Sequence, residues 1–302
     1  MEPLLVITNE SAASADETNL EAALEVLRAS TSVEVASTSN PGELDGVLHR
    51  AASRRIVIAG GDGSLHAVVS ALHRRNELDG RVLGLIPLGT GNDFARGTGI
   101  PLEPDQAARA IVEGTPTPTD LLIDEVGDVV VNNVHVGASA QAGRLGAGVK
   151  SVLGKIRIGP IGLGRLGYPI GAALAALRPQ ILHLKVEVDG EVINDLDQPV
   201  LMVAIGNSSD VGGGTTLNPE ADPSDGKIDV MVSRATGRLA RLGFAALLSR
   251  GEHDAHEDVV TARGSVVTVA GEPFWTSADG EIAGPESRRT WTVHPGAFQL
   301  LR

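Results

Sequence analysis

Residues Arg55–Gly99 read RIVIAGGDGSLHAVVSALHRRNELDGRVLGLIPLGTGNDFARGTG. Arg55–Ala59 is a short β-branched apolar run, the mark of a buried strand. Gly60-Gly61-Asp62-Gly63-Ser64 follows it directly. Leu65, Val68, Val69 and Leu72 then recur at helical spacing, which predicts a helix from near Ser64. Val82–Pro87 reads as a second apolar strand. It runs into another loop of small residues, Leu88-Gly89-Thr90-Gly91-Asn92-Asp93, and a short helical pattern with Phe94 and Arg96.

Two strands therefore end in two glycine-rich loops, each opening a helix. That arrangement suits phosphate. Glycine lets the backbone approach an anion closely, and helix N-termini present N–H groups with a favourable dipole. Ser64, Thr90 and Asn92 can add neutral hydrogen bonds. Asp62 and Asp93 would each repel a bare phosphate. Two carboxylates at such a site make sense if Mg²⁺ lies between them and the phosphate oxygens. Read alone, GGDG is also a tight strand-to-helix turn with Asp62 near the cap. Two such loops in consecutive strand–helix units weigh against that reading.

The pairing of GGDGS with PLGTGNDFAR some thirty residues later resembles the catalytic domain of the diacylglycerol kinase family, which includes bacterial lipid kinases and sphingosine and ceramide kinases. GGDG by itself is less specific, because NAD kinases and phosphofructokinases carry related loops. The resemblance implies an α/β first domain with a phosphofructokinase- or NAD-kinase-like parallel sheet, and a mainly β second domain. It also implies ATP and Mg²⁺ as cofactors.

Composition is compatible with this. The chain has 302 residues, room for two domains, and 42% of them are hydrophobic. Aromatics are only 2%, so the core must rest on Val, Leu, Ile and Ala. The absence of cysteine excludes disulfides, thiolate metal sites and cysteine nucleophiles, and fits a reducing, cytoplasmic setting. No basic leader precedes the first strand, and no apolar run is long enough to span a membrane. A net charge of −13 argues against nucleic-acid binding and against adhesion to anionic lipid through bulk charge. A peripheral place on the inner membrane face would need a local basic or apolar patch.

In chain order, Leu4–Thr8 reads as a strand ending at Asn9, and Ala15–Ala29 as a helix. Where the family usually has Asn-Pro and a nearby Ser-Gly, this chain has Asn9-Glu10-Ser11-Ala12-Ala13. Thr38, after a strand at Val33–Ala36, matches the family's Thr near the nucleotide; it is also an ordinary loop threonine. Pro41–Ala52 and Glu103–Glu113 read as helices. Repeated strand–helix alternation means a parallel sheet with ligands at the strands' carboxyl ends. The family's Asn-Glu in the central helix is His66-Ala67 here. Residues 114–119, GTPTPT, form a breaker-rich joint, which puts a nucleotide-binding domain at 1–118 and a second domain at 119–295. Apolar Phe298–Leu301 suggests that 296–302 returns to the first domain. Asp120 matches a family carboxylate near the metal, and Val129–Val136 reads as one strand whose family Gly-Phe-Asp is Gly137-Ala138-Ser139 here.

Residues 138–177 are glycine-rich. Gly162–Gly167 matches GxGxxG with Glu187 beyond, but Pro160 and Pro169 interrupt the strand and helix that a dinucleotide fingerprint requires. Lys150, Lys155, Arg157 and Arg165 among Val, Leu and Ile form a basic-apolar patch suited to a lipid surface, or a solvated helical face. From His183 onward the pattern is β: a hairpin at Asp189-Gly190, strands at Val200–Ile205, Ile228–Val232, Val259–Thr261, Ser265–Ala270 and Thr290–His294, with a helix at Arg238–Arg250. This region should form a β-sandwich.

The loop 208–227 carries Gly212-Gly213-Gly214 and an Asp225-Gly226 step that have close parallels in the family. By that resemblance Asp225 binds a structural Mg²⁺, assisted by backbone carbonyls of Asp222 and Lys227. Locally Asp225-Gly226 is also a plain turn. Asp279-Gly280-Glu281 is locally a hairpin turn; by resemblance Glu281 is the general base. The resemblance thus implies an ATP-dependent lipid kinase acting on a lipid hydroxyl, diacylglycerol by default, at a membrane surface, in phospholipid biosynthesis. Gly60, Gly61, Gly63, Ser64, Gly89, Thr90, Gly91 and Asn92 would hold phosphate, with Asn9 and Thr38 on the nucleotide side. Asp62, Asp93 and Asp120 would organise the catalytic Mg²⁺. A NAD-kinase-like enzyme with a soluble acceptor and a nucleotide- or lipid-binding protein without turnover stand as alternatives. The oligomeric state is left open to a homodimer.

Overall fold

The computed structural model describes residues 3–9, 17–51, 54–138, 140–141 and 179–302. The loop at Glu10–Ala13, Ser139, the basic-apolar patch from Lys150 to Arg165 and the Gly162–Gly167 pattern lie outside these residues. The chain forms two compact units, one of Met1–Asn132, Asn207–Lys227 and Val293–Arg302, the other of Asn133–Gly206 and Ile228–Thr292.

The first unit is a parallel α/β layer. Its strands are β1 (Leu4–Asn9), β2 (Val33–Thr38), β3 (Arg55–Gly60) and β4 (Val82–Pro87). They pair in parallel in the order β4-β3-β1-β2, and Gln299–Leu300 at the end of the chain adds a further parallel strand beside β4. Successive residues of β1 alternate between faces, and both faces are covered. Leu5 and Ile7 join a core with α2 (Pro41–Ala51) and α3 (Asp62–Arg74). Leu4 and Val6 join the opposite core with α1 (Glu17–Ser30) and α5 (Pro104–Glu113). Burial on two faces is why these strands read as continuous apolar runs rather than alternating ones.

Two predicted boundaries shift for physical reasons. The breaker-rich joint is part of a strand, β5 (Pro116–Asp124), within the first unit. Pro116 and Pro118 both fall on exposed positions of the strand, where a missing N–H is tolerated, and β-branched Thr117 and Thr119 favour extended backbone. The single strand expected at Val129–Val136 is two, β6 (Val129–Val130) and β7 (Asn133–Gly137). Between them the backbone leaves the ladder. The Val131 carbonyl accepts the Asn207 side-chain amide at 2.8 Å, and the Asn132 carbonyl accepts the Asn207 N–H at 2.9 Å.

The second unit is antiparallel and sandwich-like, and includes the short β9 (Glu191–Asn194) and β10 (Pro199–Val200); β12 (Asp210–Val211) and β13 (Thr215–Thr216) pair with each other in the first unit. One run is β15 (Val259–Gly264), β14 (Ile228–Ser233), β11 (Met202–Gly206), β7, β16 (Val266–Ala278) and the first part of β17 (Glu281–Leu301). β16 pairs β8 (Leu182–Val188) through Val267–Gly271 and β7 through Thr276–Ala278. Its pairing with β17 shifts register between Ala270 and Phe274. Gly271, with φ 147°, sits at that irregularity, and a Cβ there would meet the His183 carbonyl oxygen at 2.3 Å. A bulge of this kind bends the strand locally, so that β16 pairs β8 before it and β7 after it. The final helix, α6 (Arg238–Leu248), buries only Phe244.

Candidate active site

The carboxyl ends of the first unit's parallel strands gather the sequence-predicted nucleotide residues. Asn9 ends β1 and is in register with Thr38 at the end of β2. Thr38 is buried and its hydroxyl donates to the Thr8 carbonyl at 3.4 Å. Gly60 ends β3, and its carbonyl accepts the Leu88 N–H at 3.0 Å, so the two glycine loops start side by side.

The first loop is shorter than the sequence suggested. Helix α3 begins at Asp62, with Gly61 as N-cap and no side chain closing the cap. The Gly61 carbonyl accepts the N–H groups of Ser64 and Leu65. Asp62, Gly63 and Ser64 therefore form the first helical turn, where N–H groups and dipole favour an anion. The second loop, which leads into the short α4 (Asp93–Gly97), folds on itself through Asn92. Its side-chain oxygen accepts the Gly89 N–H and its amide donates to the Gly89 carbonyl, both at 2.9 Å. Asn92 adopts left-handed backbone, φ 52° and ψ 42°, which an Asn tolerates better than most residues. Its amide thus shapes the loop, in addition to any ligand role.

The loops touch backbone to backbone. A Cβ on Gly89 would lie 2.5 Å from the Gly61 Cα, and one on Gly61 would lie 2.9 Å from the Gly89 Cα. Nothing lies within 4 Å of a Cβ placed on Gly63. Glycine is thus required at 61 and 89 by packing, whereas at 63 it leaves open space for an incoming group.

Three aspartates accept backbone N–H groups from distant loops, Asp62 and Asp93 beside the glycine loops and Asp120 next to Gly296, which precedes the stretch that pairs with the start of β4. Asp62 takes the N–H of Asp93 on one oxygen at 3.1 Å and that of Phe94 on the other at 3.0 Å. Asp93 takes the N–H groups of Gly213 and Gly214 on a single oxygen, at 2.8 and 3.0 Å. Asp120 takes Gly296 on one oxygen and Gly226 on the other, both at 2.7 Å. Burial pushes the Asp93 carboxyl above its ordinary range; the glycine N–H groups oppose this, and the neighbouring Asp62 charge adds to it. Burial likewise raises Asp120, with two backbone N–H groups opposing it and Asp225 and Asp222 adding repulsion.

The sequence-predicted metal residues therefore fall into two groups. Oxygens of Asp62 and Asp93 both lie close to Gly91, 3.2 and 3.3 Å from where a side chain there would begin. The charges that act on Asp120 are those of Asp222 and Asp225. In that loop the Asp222 carbonyl accepts the Asp225 N–H at 3.3 Å, and the Asp225 carboxylate accepts the Lys227 N–H at 2.9 Å. Among the described residues no three His, Cys, Asp or Glu side chains converge to hold a metal by themselves. A pair of carboxylates is the usual protein share of a Mg²⁺ site completed by phosphate and water, and one carboxylate with loop carbonyls suits a hard cation. Both donor sets fit Mg²⁺ in that sense.

The sequence did not reveal what Gly212-Gly213-Gly214 does. Its residues have φ of 66°, 90° and 103°, a left-handed run that turns successive N–H groups onto Asp93. Three consecutive glycines are the signal for such a run. Arg96, exposed, donates to the Gly91 carbonyl at 3.2 Å and lies against Gly214, which places a cation beside the second loop.

In the second unit, Asp279 and Gly280 have φ of 48° and 88° and join β16 to β17, with Ala278 opposite Glu281. This is a two-residue hairpin turn. Asp279 is tied to the neighbouring strand. Its N–H donates to the Asn133 carbonyl at 3.0 Å and its carboxylate accepts the Asn133 N–H at 3.1 Å. Glu281 is exposed at the first position of β17.

Residues 3–123 match the diacylglycerol kinase catalytic domain, and residues 132–302 match the YegS C-terminal NAD kinase beta sandwich-like domain. The chain belongs to the diacylglycerol kinase catalytic-domain family. It is 32% identical to a diacylglycerol kinase of Bacillus subtilis over 234 residues, 76% of this chain and 71% of that one. It is also 32% identical to a probable lipid kinase YegS-like of Xanthomonas campestris pv. campestris over 305 residues, 95% of this chain and 92% of that one. A crystal structure of a putative diacylglycerol kinase from Bacillus anthracis shares the fold, with TM-score 0.78 at 22% identity over 99% of this chain and 95% of that one.

Proposed function

We propose that this protein is an ATP-dependent lipid kinase that transfers the γ-phosphoryl group of Mg-ATP to a lipid hydroxyl, with diacylglycerol the first acceptor to test. The observation that carries the reading is the pair of glycine loops at the ends of adjacent parallel strands, locked together through Asp62, in a chain of this family. Relatives named diacylglycerol kinase and probable lipid kinase support the acceptor class.

In this reading the N–H groups at Gly61–Ser64 and the Gly89–Asn92 loop bind the phosphates, and Asn9 and Thr38 border the nucleotide. Bound Mg²⁺ would neutralise charge on the phosphate oxygens. Asp62 and Asp93 are its proposed protein ligands, directly or through water. Asp120 instead fastens the loop around Asp225, whose carboxylate, with the carbonyls of Asp222 and Lys227, is the proposed structural cation site. Glu281 is the proposed general base. It takes the proton of the acceptor hydroxyl as that oxygen bonds to the γ-phosphorus and the bond to the β-phosphate breaks, releasing ADP. Catalysis is then mostly positioning and charge neutralisation.

The test is transfer of radiolabelled γ-phosphate from Mg-ATP to a mixed lipid extract in detergent micelles, with Glu281→Gln alongside. A labelled lipid formed by the wild type and lost in the variant supports the reading. No labelled lipid while ATP still binds sinks the lipid-kinase assignment for those acceptors.

A further inference from the structure

We propose that the outward face of α6 docks on an anionic lipid bilayer, an inference that rests on the lipid-kinase reading for its purpose but not for its test. Two of the four leucines of this helix face outward, while Leu247 and Leu248 are half-buried. Phe244 alone is buried, packed edge-on against His253 and His256 with ring centroids 6.1 and 6.2 Å apart. Leu239 is 84% exposed and Leu242 is 68% exposed. Ala245 and Ala246 are exposed as well. Positions 239, 242 and 246 recur at i, i+3 and i+7, so they form one stripe. A stripe of this kind facing water needs a partner to be worth keeping.

Charge identifies the partner. From Val230 to Gly251 there is no Asp or Glu, in a chain where they number 38 of 302 residues and the net charge is −13. The same stretch holds Arg234, Arg238, Arg241 and Arg250. Arg234 is used internally, donating to Asn194 and the Ile193 carbonyl. Arg238 opens the helix and Arg250 follows its end, and both are exposed. The stripe is thus bracketed by two exposed guanidinium groups; the exposed acids that follow the helix, Glu252, Asp254 and Glu257, belong to the segment whose His253 and His256 pack on Phe244, across the helix from the stripe. Apolar side chains between basic ones are the pattern of an interfacial helix, in which leucines enter the acyl boundary and arginines meet anionic headgroups. Two leucines and two alanines are too small for a stable protein interface, which takes about 800 Å² per partner. They suffice for interfacial anchoring assisted by charge. Among the described residues no helix is long and apolar enough to cross a membrane.

The experiment is flotation with vesicles of phosphatidylglycerol and phosphatidylcholine in equal parts, and with phosphatidylcholine alone. The proteins are the wild type, Leu239→Asp/Leu242→Asp and Arg238→Gln/Arg250→Gln. Because these side chains are exposed, the variants should keep the wild-type circular dichroism and melting temperature. Wild type should float with the anionic vesicles. The leucine variant should bind at least about tenfold more weakly, and the arginine variant should lose the preference for anionic lipid. Equal flotation of wild type and leucine variant overturns the proposal, as does failure of the wild type to float. A wild-type dimer that the leucine variant converts to monomer, with flotation unchanged, also overturns it and assigns the face to a second copy. Phosphoryl transfer to a short-chain diacylglycerol dissolved as monomer separates the two readings. It should be equal in all three proteins, and its absence from all three would fault the kinase reading while leaving the flotation result standing.

Discussion

Asp62 holds the backbone of Asp93: one carboxylate oxygen accepts the Asp93 N–H at 3.1 Å and the other accepts that of Phe94 at 3.0 Å. The carboxylate of the first glycine motif is therefore the clasp on the second. Asp93 in turn clasps Gly213 and Gly214, and Asp120 clasps Gly226 and Gly296. Carboxylates that look like metal ligands in sequence are also hydrogen-bond acceptors that hold distant loops.

How the accepted bonds are distributed predicts the effect of asparagine. An Asn offers one acceptor oxygen. Asp93 takes the Gly213 and Gly214 N–H groups on a single oxygen, so Asp93→Asn can keep those two bonds, at some cost to the weaker contact from Gly212, while removing a buried charge and its repulsion with Asp62. Asp62 and Asp120 use both oxygens, so Asn at either position turns an NH₂ group toward a backbone donor. That loss costs about 1–3 kcal/mol; at 120 it is set against relief of the carboxylate's burial and of the smaller repulsion from exposed Asp222 and Asp225. Urea unfolding without metal should rank Asp93→Asn near or above wild type, and Asp62→Asn and Asp120→Asn below it. The burial-raised Asp93 carboxyl also sets a pH sign. Its folded form keeps a proton longer than the unfolded form, so its contribution is greatest below the unfolded value of 3.8 and is lost as pH rises through the folded one. Asp93→Asn should lack that step.

Most of the fold was legible because the signals were local. Arg55–Gly60 and Val82–Pro87 are buried on both faces and read as apolar runs, and both glycine loops follow them directly. The Asp189-Gly190 and Asp279-Gly280 turns were equally legible, since a two-residue turn with φ above zero at both positions selects these residues. What the sequence hid was non-local. No spacing rule joins Asp93 to residues 120 positions away, or Asp120 to Gly296. The strand at Pro116–Asp124 was masked by two prolines whose lack of N–H is harmless at exposed positions. The outward leucines of α6 were hidden because periodicity gives a helix its apolar stripe but not the side on which the stripe ends up.

Gly63→Ala and Gly89→Ala should separate packing from binding. At 89 the new methyl meets the Gly61 backbone at 2.5 Å, and neither loop can yield without opening the site. Gly89→Ala should lower stability by about 1–3 kcal/mol and lose nucleotide affinity. At 63 the methyl meets nothing within 4 Å, and Ala is the better helix residue. Gly63→Ala should melt at or above the wild-type temperature yet bind ATP at least about tenfold more weakly, because the methyl occupies space needed by phosphate. Calorimetry of ATP binding alongside thermal melting checks both.

Magnesium should stabilise the protein even without nucleotide. Asp225 and Asp222 both act on buried Asp120 as like charges, and a cation on the Asp222–Lys227 loop would offset that repulsion. Saturating Mg²⁺ at about one hundred times its dissociation constant should add about 2.7 kcal/mol of unfolding free energy. Asp225→Ala should abolish that gain while unfolding without metal changes far less. A gain of equal size in the variant would remove Asp225 from the site.

His135 predicts the acid limb of the stability curve. It lies on β7 opposite Ala204 on one side and Ser277 on the other, and its Nδ1 is buried without a hydrogen-bond partner. Burial lowers its pKa from 6.5 to about 4, against a smaller upward pull from Asp279. Above pH 6.5 the folded and unfolded forms are both largely neutral, so the stability tied to this residue is fully present. As pH falls from 6.5 toward 4 the unfolded chain takes up the proton first, and that stability is lost at up to about 1.4 kcal/mol per pH unit. His135→Gln keeps polarity without titrating. Compared with wild type, its unfolding free energy should fall less steeply over the same range. Parallel curves for the two proteins would mean that His135 titrates alike folded and unfolded, and that its burial does not govern acid stability.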